Sequence, residues 1–139
     1  MKRLVFVTLG LVVVLATGCS GETKTHDLDG NVLIFQPANM SVNGSSCQGV
    51  GNLSDLVAGS PVRISPAGKD AVWSKLAMGF ITEEDNCRLK FTATVPEADT
   101  YVIEVGGRLP VTRSRPSIDR PNGWWVTLDW DAMSVTPNP

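Results

Sequence analysis

The sequence predicts an all-β protein: a small antiparallel β-sandwich of about seven strands with one disulfide, after a cleaved signal peptide. Two observations predict the sandwich. From residue 29 onward, short apolar segments alternate with turn clusters about every 8 to 15 residues, which is typical of antiparallel β-structure. No segment shows the apolar periodicity of a long amphipathic helix. The length of 139 residues suits one domain with a single core.

The first eighteen residues predict an export signal. Lys2 and Arg3 form a basic start, residues 4–15 carry no charge, and residues 16–18 are small. A stable membrane span needs about 20 apolar residues, and this run is shorter. We therefore expect the segment to be cleaved.

The end of this signal resembles the lipobox of bacterial lipoproteins, in which small residues precede a cysteine that is alkylated by diacylglycerol. Residues 15–19 read Leu-Ala-Thr-Gly-Cys. The resemblance implies a lipoprotein signal peptide over 1–18 and lipidation of Cys19, and an ordinary secretory signal is the alternative. In either case the domain leaves the cytoplasm, and lipidation would hold it at the extracytoplasmic face of the cell membrane.

The cysteine count predicts one disulfide. With Cys19 assigned to lipid, Cys47 and Cys87 are the only possible intramolecular pair, and an exported chain meets an oxidising compartment. In the chain-entropy model, closing a loop of about 41 residues stabilises the fold by roughly 4 kcal/mol. Two cysteines and one distant histidine, His26, do not make a zinc site, so no metal is expected.

The expected order along the chain is a lipidated tether over 19–28, the sandwich over 29–131 and a flexible tail over 132–139. Period-two alternation assigns the faces of three strands. The residues expected to point inward are Cys87, Leu89, Phe91, Ala93, Val95, Tyr101, Ile103, Val105, Trp124, Val126, Leu128 and Trp130. Ser54 or Asp55 is expected to cap one helical turn. The predicted strands are residues 31–35, 61–65, 71–81, 87–95, 100–106, 109–114 and 124–131.

Segments 47–56, 61–64, 87–91 and 101–106 together resemble a domain widespread in secreted proteins and lipoproteins of actinobacteria. Its pattern has a cysteine followed by glycines and Ser-Asp-aliphatic, and a second cysteine in an aromatic strand. The resemblance implies a small β-sandwich with a disulfide, and it assigns no biochemical role. Similar short lipoproteins occur in bacteriophages, where some shield the lysogen surface against further phage.

Catalytic constellations are hard to assemble from these residues. A serine triad needs a histidine base, and His26 lies in the predicted tether. Glu83, Glu84 and Asp85 are the densest acidic cluster, for which a solvated turn is the preferred interpretation over acid-base or calcium chemistry. We expect no enzyme and no cofactor. The formal charge of −2 gives no basic bias toward nucleic acid.

A basic stretch followed by a tryptophan is the candidate binding surface. Two interpretations stay open: an aggregation-resistant edge guarded by prolines, or a cationic surface for anionic headgroups, phosphorylated glycans or an acidic partner. The tryptophan suits protein or sugar contact, or is half covered by a loop, and Trp73 has the same two interpretations. The surface comprises Arg108, Arg113, Arg115, Arg120 and Trp125.

These observations predict a membrane-anchored extracytoplasmic lipoprotein whose domain binds a protein or a cell-envelope component without catalysing a reaction. Two alternatives remain, a phage-encoded lipoprotein for superinfection exclusion and an envelope enzyme. The oligomeric state and the identity of the ligand are left open by the sequence.

Overall fold

Two β-sheets share one hydrophobic core in the computed structural model, which describes residues 21–129. The larger sheet has seven strands and the smaller sheet has four, so the predicted all-β sandwich is confirmed. The predicted signal peptide over 1–18, Cys19, Trp130 and the predicted tail over 132–139 lie outside the described residues. Within 21–129, no helix is long and apolar enough to span a membrane.

The described residues contain eleven strands, one short α-helix, α1, and two 3-10 turns at Pro37–Asn39 and Gly51–Leu53. The large sheet has the order β10-β11-β1-β7-β6-β3-β2, and the small sheet has the order β5-β4-β8-β9. The bounds are β1 Thr25–Ile34, β2 Met40–Asn43, β3 Ser46–Gly49, β4 Pro61–Pro66, β5 Val72–Lys75, β6 Gly79–Ile81, β7 Cys87–Pro96, β8 Thr100–Val105, β9 Val111–Ser114, α1 Arg115–Ile118, β10 Asp119–Arg120 and β11 Gly123–Asp129.

Eleven strands form where seven were predicted, because β2, β3 and β10 were not predicted and the segment over 71–81 is two strands. β1 begins at Thr25, so the last residues of the predicted tether over 19–28 belong to the sheet, where Leu28 is buried. β2 and β3 form a hairpin that was not predicted. The predicted strand over 71–81 is two strands, because the chain leaves the small sheet after Lys75 and joins the large sheet at Gly79.

Alternation along the strands builds the core as predicted. The inward residues of β7, β8 and β11 are buried, except for Ala93, which is partly buried. Arg88, Lys90, Thr92 and Thr94 take the opposite face of β7. The largest side chains with almost no exposure are Tyr101, Leu28, Ile34, Leu56, Ile64, Leu89, Ile103, Ile118 and Leu128.

The predicted disulfide joins Cys47 in β3 to Cys87 in β7, with 5.8 Å between their Cα atoms. It passes beside Gly79 of the intervening strand β6. A Cβ atom at Gly79 would lie 3.1 Å from each sulfur and 2.4 Å from the carbonyl oxygen of Cys47. Only glycine fits at this position, because a side chain would overlap the disulfide and the backbone of β3.

The segment after β3 differs from the expected helical turn capped by Ser54 or Asp55. A single 3-10 turn covers Gly51–Leu53, Ser54 follows as its C-terminal residue, and no side chain caps its start. Gly51 has φ +58, a backbone conformation that glycine adopts without a steric penalty. Gly49 is needed for a different reason, because a Cβ atom there would overlap the backbone of Leu53.

The first and last strands lie side by side and run in the same direction. β1 pairs with β11 in parallel from Leu28 beside Trp124 to Leu33 beside Asp129, whereas the remaining strand pairs of both sheets are antiparallel. We name the end of the sandwich where β1 begins the proximal end, and the end where β1 finishes the distal end. Cys87 pairs with Ile34, so the disulfide lies at the distal end.

Candidate ligand-binding groove

Arg108 does not belong to an exposed binding surface, contrary to the sequence prediction. It is only 4% exposed, and Nη2 donates to the carbonyl oxygen of Asn52 at 2.7 Å and to Oδ1 of Asp55 at 2.5 Å. The residue follows the glycine turn after β8, and both partners lie in the segment before β4. Arg108 therefore ties two loops together at the distal end, and we name this contact the Asp55–Arg108 junction.

Arg113 and Arg115 are also engaged within the protein. Nη1 of Arg113 donates to the carbonyl oxygen of Thr112 at 3.2 Å, and Nη1 of Arg115 donates to Oε1 of Glu97 at 2.6 Å. Arg113 is in β9 and lies in register with the buried Tyr101 of β8. These two arginines therefore lie near the proximal end, away from the Asp55–Arg108 junction.

Arg120 and Trp125 are the two predicted surface residues that the fold brings together. The guanidinium of Arg120 lies 5.3 Å from the centre of the Trp125 ring, which is within cation–π range. Trp125 is 43% exposed on the outer face of the large sheet, beside Asp29 of β1. Of the five residues predicted to form one binding surface, the fold therefore brings Arg120 and Trp125 into contact and places the three other arginines elsewhere.

The more exposed tryptophan is Trp73, on the outer face of the small sheet. It is 65% exposed and lies in β5, a strand at the sheet edge. Beside it is an open groove of about 420 Å³, lined by Pro61, Arg63, Trp73, Glu104 and Gly106. We name this site the Trp73 groove.

The register of three strands builds the groove. Arg63 of β4 lies between Trp73 of β5 and Glu104 of β8, and it pairs with both in the sheet. Alternation puts Val62 and Ile64 into the core, which turns Arg63 outward. The order β5-β4-β8 therefore places an aromatic ring, a guanidinium and a carboxylate in one row.

Polar contacts hold this row in place. Nη1 of Arg63 donates to Oε2 of Glu104 at 2.8 Å, and the guanidinium carbon lies 5.9 Å from the centre of the Trp73 ring. Below the ring, Ser74 donates from Oγ to the carbonyl oxygen of Thr92 at 2.6 Å, which fastens the edge strand to β7 of the other sheet. Strand β5, which carries Trp73, is therefore hydrogen-bonded to both sheets.

Sequence reasoning missed a second polar cluster, at the proximal end. Nε2 of His26 lies 2.9 Å from Oε2 of Glu97, so His26 is not a residue of a free tether. Its ring stacks on Trp124 with 3.9 Å between ring centres. The hydrogen bond from His26 holds the pKa of Glu97 below its ordinary 4.5; partial burial opposes this, and the charge of Arg115 assists.

Tyr101 completes the proximal cluster. Its hydroxyl donates to the carbonyl oxygen of Pro96 at 3.0 Å and accepts from the amide of Ala98 at 2.8 Å. Burial raises the pKa of this phenol above its ordinary 10.0. The ring meets Trp124 edge to face, 5.8 Å between centres, so the two sheets are joined by aromatic contacts at this end.

The predicted acidic turn at Glu83, Glu84 and Asp85 is exposed and lies between β6 and β7. Among residues 21–129, no group of three or more histidine, cysteine, aspartate or glutamate side chains is arranged to hold a metal ion. No protein-family model, curated protein or solved structure matches this chain. The candidate site is therefore interpreted from its own geometry.

Proposed function

We propose that this chain is a lipid-anchored extracytoplasmic protein whose sandwich binds a component of the cell envelope through the Trp73 groove. The observation that carries the proposal is the 65% exposure of Trp73 beside a groove lined by Arg63 and Glu104. Exposure of a large apolar ring to water costs free energy and can mark a surface that a ligand covers, and tryptophan and arginine are enriched among the residues that dominate binding at interfaces.

The position of the groove agrees with anchoring at Cys19. β8 begins at the proximal end, where Tyr101 meets Trp124, and Gly106 follows Tyr101 by about 17 Å of extended strand. Glu104 and Gly106 lie near the far end of this strand and line the groove, so the groove lies toward the distal end. A chain anchored at Cys19 enters the sandwich at the proximal end, so the groove would lie on the part of the sandwich that is farther from the membrane.

The anchor is tested by replacing the cysteine that receives the lipid. Cells that express the full chain with Cys19→Ser are expected to lose incorporation of labelled palmitate and to release the protein from the membrane fraction. The Cys47→Ser, Cys87→Ser double variant is the matched control and should keep the label. Equal labelling of wild type and Cys19→Ser would remove the lipid from the proposal.

Binding is tested with the purified full-length protein in mild detergent and with isolated cell envelopes. Trp73→Ala is expected to reduce co-sedimentation with envelopes at least tenfold, because it removes the platform of the groove. Trp125→Ala is the matched control, since it removes the exposed tryptophan of the other sheet. If both variants sediment with envelopes as wild type does, the groove is not the binding site and the proposed function is wrong.

A further inference from the structure

We infer that the Trp73 groove binds a neutral pyranose ring of an envelope glycan, an inference that rests on the proposed function. The aromatic platform is the first reason. The ring face of tryptophan carries a negative electrostatic potential, and the axial C–H groups of a sugar carry partial positive charge. Trp73 is the most exposed aromatic side chain among residues 21–129, and the groove beside it is open to solvent.

The polar groups beside the ring match sugar hydroxyls. Arg63 and Glu104 share one hydrogen bond of 2.8 Å, and their side chains remain 45% and 31% exposed. A guanidinium has five N–H donors and a carboxylate has about four acceptor sites, so the contact between them leaves most of both sets for a ligand. A hydroxyl group is both donor and acceptor and can therefore bond to either partner.

The charge of the groove favours a neutral ligand. Arg63 and Glu104 neutralise each other within the same row, in contrast to the cluster of cations that usually recognises phosphate or carboxylate. The pair also positions the guanidinium at the tryptophan, 5.9 Å from the ring centre. The groove thus combines a flat apolar surface with a donor and an acceptor at fixed positions.

A protein partner fits this site less well than a sugar. The centres of protein interfaces are depleted of lysine and glutamate relative to the rest of the surface. The outer face around Trp73 instead carries Lys75, two residues along β5, and Glu104, beside Arg63 in β8. The volume of the groove, about 420 Å³, lies within the usual range for small-molecule sites. Because the groove is open to solvent, it can hold one sugar unit of a longer chain.

The experiment separates a glycan from a protein by treating the envelopes before binding. Periodate cleaves vicinal diols of sugars, and a broad-specificity protease removes exposed protein. Periodate is expected to reduce binding of the full-length protein at least tenfold, whereas protease treatment should leave it unchanged. The reverse pattern would overturn the glycan inference and leave envelope binding standing.

A titration with defined sugars locates the contact. Cellotetraose, chitotetraose, maltotetraose and mannotetraose are added to ¹⁵N-labelled full-length protein, together with an acid hydrolysate of envelope polysaccharide. At least one probe is expected to shift the indole N–H resonance of Trp73 and to leave that of Trp125 in place. Absence of any shift at Trp73 at millimolar sugar overturns the inference.

Variants with preserved folds give the contribution of each group. For the sugar that shifts Trp73, Trp73→Ala should weaken binding at least tenfold, Trp73→Phe less, and Glu104→Gln several-fold. Trp125→Ala should bind as wild type does. Thermal unfolding of each variant confirms that the fold is intact, and equal affinity of Trp73→Ala and wild type would contradict the assignment.

Discussion

Two arginine–carboxylate pairs lie toward the distal end of the sandwich and differ mainly in their surroundings. In the Asp55–Arg108 junction the nitrogen–oxygen distance is 2.5 Å, and the arginine side chain is 2% exposed. In the Trp73 groove the distance between Arg63 and Glu104 is 2.8 Å, and the arginine side chain is 45% exposed. The chemistry of the two contacts is the same and their carboxylates are similarly exposed, so the difference lies in the guanidinium, which is buried in the junction and exposed in the groove.

Burial of Arg108 makes the first contact structural, whereas exposure of Arg63 leaves the second contact available to a ligand. A buried guanidinium has lost its hydration, so the carboxylate and carbonyl groups around it must replace that water. An exposed pair gains little free energy from the contact and can exchange partners with a ligand. The junction also supports the groove, because Gly106 lines the groove and a Cβ atom on it would lie 2.8 Å from Oδ2 of Asp55.

The largest expected effect comes from breaking the junction. Asp55→Ala removes the carboxylate partner of a buried guanidinium and is expected to lower the free energy of unfolding by about 3 kcal/mol. Urea denaturation monitored by circular dichroism measures the change. Glu104→Ala is the matched control on the exposed pair. A loss below about 1 kcal/mol for Asp55→Ala would show that burial does not distinguish the two pairs.

The pair between Arg115 and Glu97 at the proximal end extends the comparison, because the contribution of Glu97 to stability depends on pH. Because the folded pKa of Glu97 is below its ordinary 4.5, its contribution to stability is complete above that pH. The contribution is lost as the pH falls through the folded pKa. When thermal unfolding is measured between pH 5.5 and 2.5, the wild type should therefore lose more stability than Glu97→Gln does.

A second variant identifies the cause of this pH dependence. His26→Phe keeps an aromatic ring against Trp124 and removes the hydrogen bond to Glu97, so the acid-induced loss should shrink toward that of Glu97→Gln. Identical pH profiles for wild type, His26→Phe and Glu97→Gln would contradict a role for this contact.

The smallest expected effect belongs to the groove pair itself. A double-mutant cycle with Arg63→Ala and Glu104→Ala should give a coupling free energy below about 1 kcal/mol. Trp73→Ala should change the free energy of unfolding by no more than about 0.5 kcal/mol, because the ring is mostly in water. A coupling energy comparable to the loss in Asp55→Ala would make the groove pair structural as well.

The sequence was sufficient for the strands in which apolar residues alternate. Cys87, Leu89 and Phe91 are buried as the period of two predicts, and the disulfide follows from the cysteine count. The β2–β3 hairpin was missed although its signal is present. Gly44-Ser45 forms its two-residue loop, glycine is favoured at the first position of such a loop, and Gly44 has φ +63.

The start of β1 was missed because residues 20–26 are polar and show no apolar periodicity. Gly30 has its place in this strand through packing, since a Cβ atom there would lie 2.0 Å from the ring of Phe91. Such contacts between distant segments cannot be deduced from local sequence. The same holds for Arg108, whose partner Asp55 is 53 residues away.

The groove was beyond sequence analysis for a related reason. Trp73 was identified as a tryptophan with two interpretations, and neither Arg63 nor Glu104 stood out in the sequence. The three residues meet only because β4 lies between β5 and β8, and strand order is a property of the tertiary fold.

The parallel pairing of β1 and β11 has a mechanical consequence. Thr25 lies at one end of the sandwich and Asp129 at the other, so a force that separates these two residues acts along both strands in opposite directions. The hydrogen bonds between the strands are then loaded in shear and must fail together, whereas a hairpin pulled from its open end unzips one bond at a time. A protein that is held at one end by a membrane and pulled at the other would resist extension through this pair of strands.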